Sequence, residues 1–186
     1  MRTAFKDWAI VVDALGRGKQ ILILRKGGIA EGRDGFKIAH DDFLLFPTLY
    51  HQQGDNVIDD AADRYREIAD RFPPADRLRI EFVAHLAEWT EIRSLEHARR
   101  LAGQHIWKDT VIADRFEWGR EQKIFALALR VARLSAPVEL PMLPEYGGCK
   151  SWIELAVDIE AGDARPVLDD AAFGVRLDAF RAALKE

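Results

Sequence analysis

Residues 16–29, GRGKQILILRKGGI, hold the features that decide the fold. The apolar run at 21–24 lacks the alternation of a strand with one wet face, so it predicts a short strand buried on both faces. Arg25 and Lys26 end this run, and Gly27 and Gly28 follow. Cations and exposed backbone amides can receive an anion such as a phosphate, and glycine lets a ligand approach the backbone closely. These four residues are candidate binding residues; the alternative is a solvated strand end followed by a turn.

The composition predicts a globular domain with a real core, because 48% of the 186 residues are hydrophobic and 31% are charged. A net charge of −4 argues against a generally basic nucleic-acid coat protein but permits a local basic patch. The single cysteine, Cys149, excludes an internal disulfide and a multi-cysteine metal site. The sequence shows no membrane-spanning run and no signal peptide, so we expect a cytoplasmic protein without a membrane partner.

Apolar periodicity and turn residues predict helices and strands without the regular alternation of a doubly wound sheet. A helix is expected over 5–15, since Phe5, Trp8, Ala9 and Val12 share one helical stripe. After the strand at 21–24, the pattern predicts further strands at 36–40, 43–46, 77–92, 123–134 and within 145–155, and helices at 57–71, 94–102, 109–118 and 169–184. We expect residues 1–157 to form one α+β domain and residues 158–186 to be a linker and a helix packed on it.

Three blocks of the chain resemble an uncharacterised prokaryotic family, domain of unknown function 1802. They are AFKDWAIVVDALGRGKQILILRKGGI at 4–29, FLLFPTLYHQQ at 43–53 and PEYGGCKSWIEL at 144–155. With the helices between them, these blocks cover most of residues 4–155. This family brings no known activity, so the resemblance implies membership and nothing about a ligand.

The order of helix, glycine turn and apolar strand ending in arginine resembles the opening of the ASCH domains, which belong with the EVE and YTH domains to the PUA-like barrels. Gly18 and Arg25 match the ASCH signature GxKxxxxR, with Gln20 at the lysine position. The resemblance implies a small, mostly antiparallel PUA-like β-barrel with flanking helices that binds RNA or a modified base beside the signature. Some ASCH members are amidohydrolases, but Gln20 and Ile23 stand where those enzymes have lysine and threonine, which argues against that activity here.

Aromatic and cationic residues outside the signature extend the candidate binding set. Trp107 and Tyr146 lie in linkers, so we expect them to be the most exposed aromatics and to stack on bases. Lys150, near the end of the chain's last glycine turn, could hold a phosphate. His51 and Gln52 lie in a polar loop, where the alternative is an ordinary surface position.

The sequence supports an enzymatic function less well than a binding function. The five histidines show no H-x-x-x-H pair, so local zinc spacing is absent, and we expect no cofactor. A small hydrolase or nuclease would need His51, Glu31 or Glu81, and Cys149 to converge in the fold. The sequence therefore favours binding of RNA, single-stranded nucleic acid or a nucleotide over catalysis, with a hydrolase and a protein-interaction module as alternatives.

Overall fold

The computed structural model describes residues 1–26, 31–32, 35–36 and 40–185, with the backbone alone at 31–32 and 35–36. Gly27 and Gly28, two of the candidate binding residues, lie outside the described residues. Much of the strand predicted at 36–40 and the side chain of Glu31 lie outside them too. The strands are β1 (Thr3–Trp8), β2 (Leu22–Arg25), β3 (Glu31–Gly32), β4 (Gly35–Phe36), β5 (Asp42–Thr48), β6 (Arg77–Ile92), β7 (Ile124–Pro141), β8 (Trp152–Glu154) and β9 (Arg165–Pro166).

The helices are α1 (Ala9–Gly16), α2 (Asp59–Arg71), α3 (Leu95–Arg99), α4 (Asp109–Glu117) and α5 (Asp170–Leu184). Short 3₁₀ helices span His51–Asn56 and Pro144–Tyr146. Ser94 caps α3 by accepting a hydrogen bond from His97 N–H, and Asp169 caps α5 in the same way from Ala172 N–H. Among the described residues, no helix has the length and apolar character needed to cross a membrane.

The main sheet is mixed and open, so the expected closed, mostly antiparallel barrel is corrected to a half-barrel. Its strands run in the order β2-β7-β6-β5-β1-β8, with β9 paired to β7. β1 and β5 pair in parallel, and within the described residues the other pairings of this sheet are antiparallel. The α+β class predicted from the sequence is retained.

The helix predicted over 5–15 is wrong in its first part, where the structure has a strand. Residues 3–8 form β1 because they sit between two partners, parallel β5 and antiparallel β8, and only Ala9 begins the helix. The spacing of Phe5 and Trp8 suits a helix, but the alternating burial of Phe5 and Asp7 is that of a strand. The strand places the Asp7 carboxylate in the interior, where it is 4% exposed.

Two hydrophobic clusters cover the two faces of the sheet. The larger one joins α1, β2 and the inner residues of β7, and residues 21–24 are each at most 4% exposed, as the apolar run predicted. Residues 158–186 contact the rest of the chain through β9 and through Phe173 and Phe180 of α5, which belong to the larger cluster. That residues 1–157 fold without this segment stays a proposal, tested below.

Candidate functional site

Arg25 joins the two ends of the open sheet. It ends β2, which is the first strand of the sheet order, yet its guanidinium contacts β1 and the residue before β8 at the other end. Nη2 donates a 2.8 Å hydrogen bond to Ser151 Oγ, and the guanidinium carbon lies 4.9 Å from the Phe5 ring centroid. Nη1 lies 3.7 Å from Asp7 Oδ2. We call the place where these ends meet the seam, formed by Asp7, Arg25, Arg115 and Ser151.

Asp7 is the acidic group of the seam. Its Oδ1 accepts a 2.8 Å hydrogen bond from Trp8 N–H, whereas its Oδ2 is buried and accepts none from the described residues. Buried polar atoms are nearly always hydrogen-bonded, because an unpaired one loses its hydration without compensation. Asp7 Oδ2 is therefore a buried acceptor that the described residues leave without a hydrogen bond.

Arg115 brings a second cation to the seam from α4. Its guanidinium lies between the rings of Trp8 and Trp107, at 5.0 Å and 4.9 Å from their centroids, and Nη1 donates a 3.0 Å hydrogen bond to Leu24 O. Burial lowers the pKa of Arg115 to about 10, although the charge of Asp7 acts in the opposite direction. The guanidinium stays protonated at neutral pH, so two arginines face one carboxylate.

The loop at 147–151 carries one lysine, Lys150, and contacts a second, Lys6 of β1, whose side chain leaves the strand on the face opposite to Phe5 and Asp7. The backbone carbonyl of Ser151, the partner of Arg25, accepts a 2.8 Å hydrogen bond from the backbone N–H of Lys6. The side-chain Nζ of Lys6 donates to Gly148 O at 3.1 Å. Burial and the positive charge of Lys150 lower the pKa of Lys6. Neither Lys6 nor Lys150 forms an ion pair with a carboxylate of the described residues. The loop thus concentrates positive charge in an acidic chain.

The two aromatics expected to be exposed are buried, so that prediction is wrong. Trp107 is 2% exposed, because it lies against Arg115 and Val57 pairs with it in a short bridge. Tyr146 is also 2% exposed, and its hydroxyl accepts a hydrogen bond from Ala156 N–H. Neither ring offers a face for base stacking. Among the described residues, the exposed aromatics are instead Tyr50, Trp89 and Trp118, at 60%, 41% and 73% exposure.

Lys26 points away from Arg25, as strand pleating predicts. Its Nζ donates to the carbonyls of Phe116 and Glu121, at the end of α4 and just beyond it. Burial is the main reason why the pKa of Lys26 is lowered. Lys26 therefore holds the end of α4, and the geometry separates it from the other cations of the candidate set.

His51 and Gln52 are exposed on the 3₁₀ helix that follows β5. This helix begins three residues after Thr48, whose backbone is paired with Trp8, so it lies at the same end of the sheet as Asp7. No contact among the described residues joins His51 or Gln52 to Arg25. Their place in a binding site remains a prediction.

The groups required by a hydrolase are not brought together in the described part of the chain. Glu81 pairs with Arg79 and Arg133, Cys149 is exposed on the 147–151 loop, and no described contact links either to His51. The described residues contain no group of three histidine, cysteine or acidic side chains that could hold a metal ion. Gln20 is buried with both amide ends bonded, to Leu22 O and Ile106 N–H, so it serves the core.

Sequence reasoning missed Asp7 and Arg115, two of the three charged residues of the seam. Asp7 lies off the apolar stripe of the helix predicted over 5–15, whereas the strand at 3–8 puts it on the buried face with Phe5. No sequence signal marks Arg115, because its role depends on α4 packing across the end of β2.

The family model described as "Domain of unknown function (DUF1802)" matches residues 4–179. No curated protein matches the chain significantly. Among solved structures, the ASCH protein of Zymomonas mobilis is similar, with 13% identity and a TM-score of 0.47 over 82% of this chain and 86% of that one. A point mutant of the same protein gives 13% identity and 0.46 over 82% and 87%. A likeness at this level says nothing about which molecule this chain binds.

Proposed function

The chain belongs to the DUF1802 family, and we propose that it binds single-stranded RNA or a modified nucleotide at the seam and the adjoining 147–151 loop. The observation that carries this proposal is the charge around Ser151. Arg25 donates to Ser151 and lies 3.7 Å from Asp7, and Arg115 is the second cation near that carboxylate. Lys150 belongs to the 147–151 loop, and Lys6 of β1 donates to Gly148 in it. The charges of these four cations exceed that of Asp7 in a chain whose net charge is −4.

Phosphate groups are the anions that suit these cations. Arg25 is 23% exposed, so one edge of its guanidinium is accessible while the other holds Ser151. Arginine binds phosphate through paired N–H donors, and lysine binds it as a point charge. Lys150 is exposed and its one described hydrogen bond, to Glu145 O, is 3.5 Å long, so it can turn toward a ligand.

Asp7 Oδ2 supplies a polar contact of the opposite kind. A carboxylate oxygen accepts hydrogen bonds from amino and imino groups, which nucleobases carry at their edges. A base that reached Asp7 would give this buried oxygen the donor that it lacks among the described residues. Phosphate binding outside and base recognition inside make a nucleotide a better fit than a simple anion.

The test is a fluorescence-anisotropy titration of the full chain with a short single-stranded RNA at two salt concentrations. We expect Lys150→Ala to weaken binding several-fold and to reduce the dependence on salt, because it removes one phosphate contact. Lys19→Ala is the matched control, since Lys19 is an exposed lysine at the other end of β2. Equal losses in both variants would indicate diffuse attraction, and no binding by the unchanged chain at low salt would refute the proposal.

Two conservative substitutions examine the seam itself. Arg25→Lys keeps the charge beside Asp7 but loses the paired donors, so we expect RNA binding to weaken while the chain stays folded. Asp7→Asn should raise affinity if only phosphates bind at the seam, because it removes a negative charge. It should lower affinity if a base donates to Oδ2. Circular dichroism and thermal unfolding of each variant separate a loss of binding from a loss of fold.

A further inference from the structure

A second cationic site lies between α1, α2 and the strands β5, β6 and β7. It is a cavity of about 290 Å³. Five arginines and three carboxylates line it, which leaves a local excess of two positive charges: Arg17, Arg64, Arg71, Arg79 and Arg133, with Asp13, Glu67 and Glu81. We call it the arginine pocket.

Two carboxylates of the arginine pocket each face two arginines, so some guanidinium N–H donors have no carboxylate partner. Asp13 accepts from Arg64 at 2.7 Å and lies 3.5 Å from Arg17. Glu81 in the same way faces two arginines, at 3.2 Å and 3.3 Å. Arg64 is fully engaged by Asp13 and Glu67, and Arg133 Nη2 donates to Gly16 O at 3.2 Å. Among the described contacts, Arg17 and Arg71 keep the most unused N–H donors.

Arg71 is the clearest open donor. Arg71 is the last residue of α2, is exposed, and has no ion pair or side-chain hydrogen bond within the described residues. Arg79 Nε is buried and forms no hydrogen bond, although it lies 3.2 Å from a Glu81 oxygen. Arg79 Nε is thus already paired with Glu81, whereas an anion beside Arg71 would gain a charge-assisted bond.

The rest of the wall is apolar. It consists of side chains from α1, α2 and the sheet: Val12, Leu45, Ile68, Phe72 and Phe82. The volume is at the small end of the range of ligand sites, about 300–1,000 Å³. The cavity therefore suits one compact molecule with an anionic group and a small apolar body.

We propose that the arginine pocket binds a small organic phosphate monoester. The phosphate lies among Arg17, Arg71 and Arg79, and the body packs against Ile68 and Phe72. This site shares none of its lining residues with the seam, and it holds a molecule too small to be a nucleic-acid strand. It is therefore independent of the proposed RNA binding.

Isothermal titration with phenyl phosphate, in a phosphate-free buffer of low salt, tests the proposal. We expect saturable binding by the full chain, and weaker binding of inorganic phosphate because it lacks the apolar body. Arg71→Ala should bind phenyl phosphate about tenfold more weakly, since it removes a charge-assisted hydrogen bond. Arg17→Ala, whose partner is 3.5 Å away, should show a smaller loss of the same kind.

Arg66→Ala is the matched control, because Arg66 lies on the same helix, pairs only with Asp63 and does not line the cavity. We expect it to bind phenyl phosphate as the unchanged chain does. No saturable binding by the unchanged chain would overturn the proposal, as would unaltered binding by Arg71→Ala. Equal losses in Arg66→Ala and Arg71→Ala would also overturn it, since they would show only a diffuse attraction.

Discussion

His105 makes the stability of the fold sensitive to mild acid. The side chain is buried beside Trp107, and its Nδ1 has no hydrogen-bond partner in the described part of the chain. Burial first, and then the positive charge of Arg115, lower the pKa of His105 from 6.5 to about 4. The folded chain therefore keeps this imidazole neutral in a range of pH where the unfolded chain protonates it.

The folded-state pKa lies below the unfolded value, so the stabilisation is complete above pH 6.5 and is lost as the pH falls toward 4. One pKa unit corresponds to about 1.4 kcal/mol, so the free energy of unfolding should drop by about 2 kcal/mol between pH 8 and pH 5. Urea unfolding followed by tryptophan fluorescence at several pH values measures this drop.

His105→Gln should remove most of that pH dependence, whereas the control His51→Gln, which changes an exposed histidine, should retain it. The same slope in His105→Gln and in the unchanged chain would refute the argument, because the proton uptake would then belong to other groups.

Three further outcomes follow from local packing. Lys26→Ala should lower the free energy of unfolding by about 1 kcal/mol, through the lost bonds at the end of α4, and leave RNA anisotropy unchanged. Gly16→Ala should cost about 1–3 kcal/mol in urea unfolding, because its Cβ would lie 2.1 Å from the Phe82 ring, whereas Gly162→Ala meets nothing within 4 Å and should be neutral. Truncation after Asp158 removes β9 and the buried phenylalanines of α5, so we expect a core that unfolds cooperatively at a lower Tm and self-associates; loss of cooperative unfolding would contradict a separable segment.

Sequence patterns predicted where the long elements begin, because many residues share the same period, but β7 continues to Pro141, seven residues beyond its predicted end at 134. β6 has the predicted bounds, 77–92, and α5 begins one residue after the expected start. Residues 5–8 were predicted to be helical because Phe5 and Trp8 have the spacing of one helical stripe. They form a strand because they pair with β5 and β8, which are distant in sequence. Local periodicity contains no information about such partners.

The exposure of Trp107 and Tyr146 was misjudged for a related reason. Both lie outside regular strands, and linker residues are usually exposed. In the fold, however, Trp107 fills the space between Arg115 and the core, and Tyr146 satisfies a backbone N–H from its own segment. The packing of Arg115 from α4 covers Trp107, and Tyr146 lies against Phe46 of β5, so neither burial could be inferred from local sequence.

Arg25 supports the fold, and we propose that the same side chain binds a ligand. Its pairing with the buried Asp7 is the arrangement expected of a structural arginine, and the seam would be weaker without it. At 3.7 Å, however, Nη1 makes no hydrogen bond to Oδ2, and Arg115 supplies a second positive charge to the same carboxylate. Asp7 can therefore neutralise only part of the charge around it. The fold keeps both arginines in place, and the uncompensated charge is what an incoming phosphate would meet.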